Sequence, residues 1–516
     1  MVRGKILFNE KGMTMTHRLI NSLVGFGAVF ASNIASAENI GKNKPNILWI
    51  EIEDTSPWMS IYGDNTVETP NINELASEGV VFSQMHVSAP VCSACRSALM
   101  VGCMQTTYGL HNHRSSYKGT EIYLPKEVKT LPEIFKENGY FTACFGKKDY
   151  NFAFNVDNLY DKSSGKMWHP KQNMTKLFAQ KKPWFIQLQL LGGKYRKAQK
   201  ILGKERVAPK AMKVPDQYPD IPEIRDEVAL HYATIKMLDR ELGEVIKQLK
   251  KSGQFENTVI FFFSDHGCRM PRAKQFVYGE GTKVPMIVYA PKKLNLIKAN
   301  TVNNKLTSSI DISASSLAAA NIKIPKYMEG KDFFKEDFHR DFVVSARDRC
   351  DYSIDYIRAI NDGKYLYIRN FMVEKPYMQP QYRDYQPLFK KLRKLAKNNQ
   401  LTEVQQQFFK LQPKPKEELY IIAEDPNQIN NQATNKQYIK VMEMMRKRLA
   451  NWQKTTDDKG QYPESLRSLT PIFKMWNRRK GATIEWSSEY NPFILKTSEA
   501  VKLLNDNSID YRVRLH

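Results

Sequence analysis

Two apolar runs that finish on hard polar side chains do most to limit what this chain can fold into. KPNILWIEIED (residues 44–54) and TVIFFFSDHG (258–267) are nearly continuous in large apolar residues. The first ends on Glu53 and Asp54, the second on Asp265 and His266. A strand buried on both faces needs that continuity, and such strands belong to parallel sheets, which bind ligands beyond the carboxyl ends of their strands. KPWFIQLQLLGG (182–193) reads as another buried strand. TPNINELASEGVVF (69–82) reads as a capped helix followed by a strand. TLPEIFKENGYFTACFGKKD (130–149) repeats that order with Gly139 as the helix stop, and VALHYATIKMLDRELGEVIKQLKKSG (228–253) is a long amphipathic helix ended by Gly253. Strands alternating with helices predict an α/β fold built on a mostly parallel sheet sandwiched by helices. After about residue 340 the texture changes to strands of a smaller, partly antiparallel α+β unit, followed by basic helical segments around 388–411 and 436–452.

Acids at the ends of two strands of one sheet converge on one cleft, where they repel each other unless a cation neutralises them. Three carboxylates with an imidazole suit a hard divalent ion, calcium first and magnesium second. Between the two runs lies SAPVCSACRSALMVG (88–102), in which Cys92 and Cys95 stand three residues apart and Arg96 follows directly. Arg96 offers fixed positive charge to an anion. The cysteine pair has the spacing of a redox motif, but nothing around it resembles a thioredoxin unit, and no second CxxC or CxxH completes a zinc site.

The compartment is read from MTMTHRLINSLVGFGAVFASNIASAENIG (13–41). His17 and Arg18 lead into an apolar run from Leu19 to Ala31, and the small residues at 35–37 offer a cleavage point before Glu38. That is the layout of a secretory signal peptide, too short for a comfortable membrane span. The basic region reads better from Met13 or Met15. No cysteine precedes Cys92, which excludes a lipid-modified cysteine at the cleavage site. The expectation is a periplasmic or secreted protein without a stable membrane anchor. Six cysteines are too few and too irregular for a disulfide framework, and 42% hydrophobic residues can supply a core. The formal charge of +24 is informative in an exported chain. Such a chain rarely meets nucleic acid, so the basic excess points to an acidic polymer or a membrane surface.

With these residues assembled, the chain resembles the formylglycine-dependent (type I) sulfatase family of the alkaline-phosphatase-like superfamily, in its bacterial polysaccharide-sulfatase branch. That family carries a cysteine or serine, one residue, a proline or alanine, usually a serine, then arginine, with a glycine six residues on. Cys92, Ala94, Arg96 and Gly102 fit, and Cys95 takes the usual serine position. PNILWIEIED is similar to the first metal strand, with Glu53 where aspartate is usual. FFFSDHGCRMPRAKQFVYGEGTKVPMIVYAP (261–291) is similar to the second metal segment. FGKK (145–148) matches the sulfate-binding lysine, SSIDISASSLAAANIKIP (308–325) the close of the first domain, and EELYIIAEDPNQINNQA (417–433) the C-terminal subdomain. SARDRCDYSIDYIRA (345–359) carries the resemblance to the polysaccharide branch.

The resemblance implies a signal peptide over 1–37, a catalytic domain over 38–345 and a C-terminal subdomain over 346–516. It implies that a maturation enzyme oxidises Cys92 to formylglycine, whose hydrated aldehyde attacks sulfur, displaces the sugar alcohol and then eliminates sulfate. Glu53, Asp54, Cys92, Asp265 and His266 would hold the ion, while Arg96, Lys147 and Lys274 would bear on the sulfate. Two family histidines are missing. Asp149 stands at one position, and Lys194 is counted to the other and assigned to the leaving group. His111 and His113 in YGLHNHRSS are further candidates for the substrate pocket or ordinary loop residues. The expected substrate is a sulfated polysaccharide or its oligosaccharides, with a marine algal galactan such as carrageenan first and a glycosaminoglycan, as ester sulfatase or sulfamidase, second. A phosphohydrolase of the superfamily would carry more metal ligands or a serine or threonine nucleophile. The non-enzyme alternative is an inactive relative that binds sulfated glycans.

Overall fold

The computed structural model describes residues 44–116, 122–351, 353–462 and 464. The expected signal peptide lies outside them. No helix among the described residues is long and apolar enough to cross a membrane. In chain order the strands are β1 (Asn46–Ile52), β2 (Val80–Phe82), β3 (Met85–His86), β4 (Phe141–Phe145), β5 (Lys162–Ser164), β6 (Trp184–Leu190) and β7 (Thr258–Ser264). They continue with β8 (Met286–Tyr289), β9 (Thr301–Asn303), β10 (Thr307–Ser308), β11 (Val343–Arg347), β12 (Ile357–Asn361), β13 (Tyr365–Asn370) and β14 (Glu417–Ile421).

Eight of them form one mixed sheet in the order β5-β4-β6-β1-β7-β8-β2-β9. Pairing is parallel from β5 through β7, and β8 runs antiparallel to both its neighbours. β1 is central and buried along its whole length, which is why its sequence is apolar on both faces. The pleat sends Leu48, Ile50 and Ile52 into one core layer, which includes Ile235, Leu238 and Leu242 of the helix Pro222–Lys251. Ile47 and Trp49 enter the opposite layer, where Trp49 meets Phe185 and Phe263 edge-on with ring centroids 5.3 Å apart. The helix Leu131–Glu137 starts on a Thr130/Glu133 capping box and stops before Gly139 at φ 82, as its sequence predicts. β11 to β14 form a second sheet, antiparallel throughout, with the helix Ile439–Thr456 contributing Met442, Met445 and Leu449 to its core.

One buried acid in the long helix sets a pH dependence of stability. Glu241 is buried, its Oε2 has no hydrogen-bond partner, and burial raises its pKa from 4.5 to about 8. A folded pKa above the unfolded value means that its contribution is fully present below pH 4.5 and is lost as pH rises through 8. Glu241→Gln should therefore match the parent in thermal denaturation near pH 4.5 and exceed it by a few degrees at pH 8–9. An equal difference at both pH values would show that Glu241 does not titrate in this way.

Candidate active site

Register brings the sequence motifs together. Ile52 of β1 sits beside Leu190 of β6 and Ser264 of β7, so three strands end level with one another. Their tips carry Glu53 and Asp54, Lys194, and Asp265 and His266. Next in the sheet, β4 leads through Gly146 to Lys147. The backbones pack closely at this edge. Gly193 N donates to Glu53 O at 2.7 Å, and a Cβ on Gly192 or Gly193 would collide with the carbonyl oxygen of Glu53 or Asp54 respectively. The Gly192–Gly193 pair is thus a steric requirement of the site.

Cys92 opens the helix Cys92–Val101, and Arg96 lies one turn on along the same face. The Cys92 Sγ has His266 Nε2 at 3.2 Å, Lys274 Nζ at 3.4 Å, Lys194 Nζ at 3.6 Å and Lys147 Nζ at 4.0 Å. Burial pushes the thiol up to about 11 despite the lysines, so the unmodified side chain rests as the protonated thiol. If position 92 carries formylglycine, Sγ stands in for the oxygen substituents of its hydrated carbon. Cys95 turns away toward Ser309, burial raises it well above the thiol range, and neither cysteine is in a disulfide.

Arg96 is the buried organiser of the acids. It reaches Glu51 Oε1 at 2.5 Å and Asp265 Oδ2 at 3.1 Å, and it also bonds Glu53 Oε1. Its Nε lies 3.5 Å from Asp149 Oδ1, so the aspartate at a missing-histidine position holds the arginine. Burial raises Glu51 to about 7 against the pull of Arg96. Burial also opposes the charge on Asp54 and Asp265. The lasting cations outweigh it, Lys274 at Asp54 and Arg96 with Lys194 and Lys147 at Asp265, so both carboxyls stay below the usual range. Burial lowers Lys194 well below an ordinary lysine, with Lys274 adding to the effect.

The donor atoms of Asp54, Cys92, Asp265 and His266 lie within 4.8 Å of one another. His266 Nδ1 faces the Gly267 carbonyl at 2.9 Å and must carry the proton there, which leaves the Nε2 lone pair inward. That lone pair meets Asp54 Oδ1 at 3.2 Å and Asp265 Oδ2 at 3.6 Å, acceptor against acceptor. A cation resolves the conflict, so the donor set fits a divalent metal. Glu53 borders this group, but its oxygens receive Lys147 Nζ at 2.6 Å and Gln189 Nε2 at 2.5 Å, together with Arg96 and Lys194.

Of the residues expected in the site, Glu53, Asp54, Cys92, Arg96, Lys147, Lys194, Asp265, His266 and Lys274 meet in one cluster. His111 and His113 are buried in a different setting, His111 near Asp348 and Arg358. His113 Nδ1 lies 3.3 Å from Asp351 Oδ2 and 3.7 Å from Cys350 Sγ, and burial lowers both histidines. Asp351 also binds Arg114 Nη1 at 3.1 Å, and the Arg114 backbone N–H is anchored on Ser93 Oγ at 2.9 Å, next to Cys92. Sequence reasoning missed Arg114, Asp351, Glu51 and Gln189. For the last two a signal existed: Glu51 is a polar residue two before Glu53 in an otherwise apolar strand, hence on the same face, and Gln189 is its register partner on β6.

Fold and relatives agree on the class. The solved structure of a 2-O GAG sulfatase matches with a TM-score of 0.61 at 19% identity, over 80% of this chain and 93% of that one, which identifies the fold as that of the alkaline-phosphatase-like sulfatases. A Ulvan-active sulfatase from Formosa agariphila is 29% identical over 478 residues, covering 84% of this chain and 78% of the relative. Human N-sulphoglucosamine sulphohydrolase is 22% identical, covering 80% and 90%. The Sulfatase family model matches residues 45–322, more than half of the chain. The chain belongs to the sulfatase family and is a sulfuric ester hydrolase.

Proposed function

We propose that this protein removes sulfate from a sulfated polysaccharide or its oligosaccharides, through a formylglycine made from Cys92 by a maturation enzyme and with a divalent ion, calcium before magnesium. The observation that carries the reading is the setting of Cys92: a helix-borne side chain with three lysine ammonium groups within 4.0 Å and a metal-competent imidazole at 3.2 Å. Sulfuryl transfer spreads negative charge over the sulfate oxygens, and fixed cations aimed at those positions stabilise it. Asp54, Asp265, His266 and the position-92 side chain would hold the ion, with Glu53 at their margin. The ion would neutralise the carboxylates and polarise a sulfate oxygen. Arg96 fixes Glu51, Glu53 and Asp265 so that the metal donors stay aimed. Lys147 and Lys274 hold the sulfate oxygens, Lys194 serves the departing alcohol, and Arg114 with His113 and Asp351 forms the neighbouring wall of the substrate pocket. Peptide mass at position 92 tests the mechanism, because conversion to formylglycine lowers the mass by about 18 Da. An unconverted cysteine in fully active protein would overturn it.

The name of the Formosa relative favours a marine algal glycan, ulvan now alongside carrageenan, and the human and 2-O GAG relatives support glycosaminoglycans as the second reading. A panel of these glycans assayed for sulfate release separates them. The domain limits 1–37, 38–345 and 346–516 and a periplasmic or secreted location belong to the same proposal. So does a part for the basic surface, since a charge of +24 suits a polyanion. Binding of sulfated polymer should weaken as salt rises, because exposed charges are screened over roughly 8 Å at physiological ionic strength. Turnover of a small aryl sulfate should be less salt-sensitive, and equal sensitivity would remove the surface from substrate recognition.

A further inference from the structure

A second cleft, of about 640 Å³, is lined by none of the side chains around Cys92. One wall comes from the loop after β1 and the helix Pro222–Lys251, the other from the antiparallel C-terminal sheet and the loop after β14. Two features of its lining point to a ligand. Trp58 and Tyr232 form an aromatic corner with ring centroids 5.3 Å apart, and the Tyr232 hydroxyl is fixed by donating to Asp64 Oδ2 at 2.6 Å. Lys283 is half-buried in the same cleft with no acidic side chain within 4.0 Å among the described residues, and Lys213 stands exposed at the mouth.

An aromatic corner beside a half-buried uncompensated cation is what a sulfated sugar asks for. The aromatic rings take its C–H face and the lysines take the sulfate. We propose that this cleft is a non-catalytic binding site for a sulfated saccharide unit, holding one part of the polymer while another part occupies the site at Cys92. The proposal rests on the polysaccharide reading above. A tethered polymer would raise the local concentration of cleavable esters without any new contact at the reacting centre.

Calorimetric titration of the Cys92→Ala protein, which turns nothing over, tests this. The probes are sulfated ulvan, carrageenan and heparin oligosaccharides, a desulfated counterpart of whichever binds, and inorganic sulfate. The expected result is two binding events, one of which Lys283→Gln weakens by about tenfold. Trp58→Ala should weaken the same event, and Lys283→Gln should leave 4-nitrophenyl sulfate turnover and thermal stability of the otherwise unaltered enzyme unchanged. A single event, or two events indifferent to both variants, would overturn the site. Equal binding of the desulfated oligosaccharide, or displacement by inorganic sulfate at matching concentration, would also overturn it, in the second case reassigning the cleft to a free anion. Binding at the cleft without sulfate release from any of these glycans would leave the cleft standing and defeat the polysaccharide reading of the active site instead.

Discussion

Under the proposed mechanism Cys92→Ala should lower sulfate release on the order of 10⁴-fold or more, because it deletes the side chain about which the other site residues are arranged. The fold should survive. Cys92 lies at the first turn of its helix, and the side chain removed makes its polar contacts only within the site. Thermal denaturation within a few degrees of the parent, together with lost turnover, is the expected pair of results. Cys95→Ser separates the two cysteines: it restores the commoner family residue at a buried position beside Ser309 and should retain most activity. Wild-type turnover from Cys92→Ala would end the formylglycine mechanism, whatever the fold.

Lys194→Ala is expected to have the second largest effect, and its size should depend on the leaving group. Lys194 Nζ sits 3.6 Å from Cys92 Sγ at the tip of β6, bonded to Glu53 and 3.6 Å from Asp54 Oδ1. If it protonates the departing sugar oxygen, the natural substrate should slow by about 10²–10⁴-fold, the usual worth of general acid help. The sulfate of an acidic phenol needs little protonation as it leaves and should slow far less. Parallel loss on both substrates would make Lys194 a sulfate-holding residue, and unchanged rates on both would remove it from the site. Lys194→Arg adds a useful control, because arginine keeps the charge but gives up its proton far less readily.

Much of this arrangement was legible in the chain. Continuous apolar runs ending in acids predicted the central strands, because only a doubly buried strand tolerates such a sequence. Helix stops at Gly139 and Gly253 followed from the left-handed backbone those positions adopt. Cys92 and Arg96 four residues apart had to share a helix face. The motif around them carried the family, and counting along the loop after β6 brought out Lys194, which lies 3.6 Å from Cys92 Sγ. The C-terminal unit departed from expectation in one respect: its sheet is antiparallel throughout. Short strands joined by turns and one long excursion give no periodicity that separates the two pairings.

What the sequence determined by itself is therefore local and chemical: which segments are buried strands, which residue types stand at their ends, and which cysteine and arginine share one helical turn. Tertiary structure alone decided who faces whom. Lys147, Lys194 and Lys274 lie 55, 102 and 182 residues from Cys92 and converge on it because β4, β6, β1 and β7 are adjacent and end in register. The same packing turned Asp149 onto Arg96, drew His113 to Asp351, and surrounded the Glu53 carboxylate with cations. Strand order and register are properties of the whole packed sheet. No local pattern encodes them, because a side chain's propensity fixes its own element while its partners depend on which distant element the core places alongside.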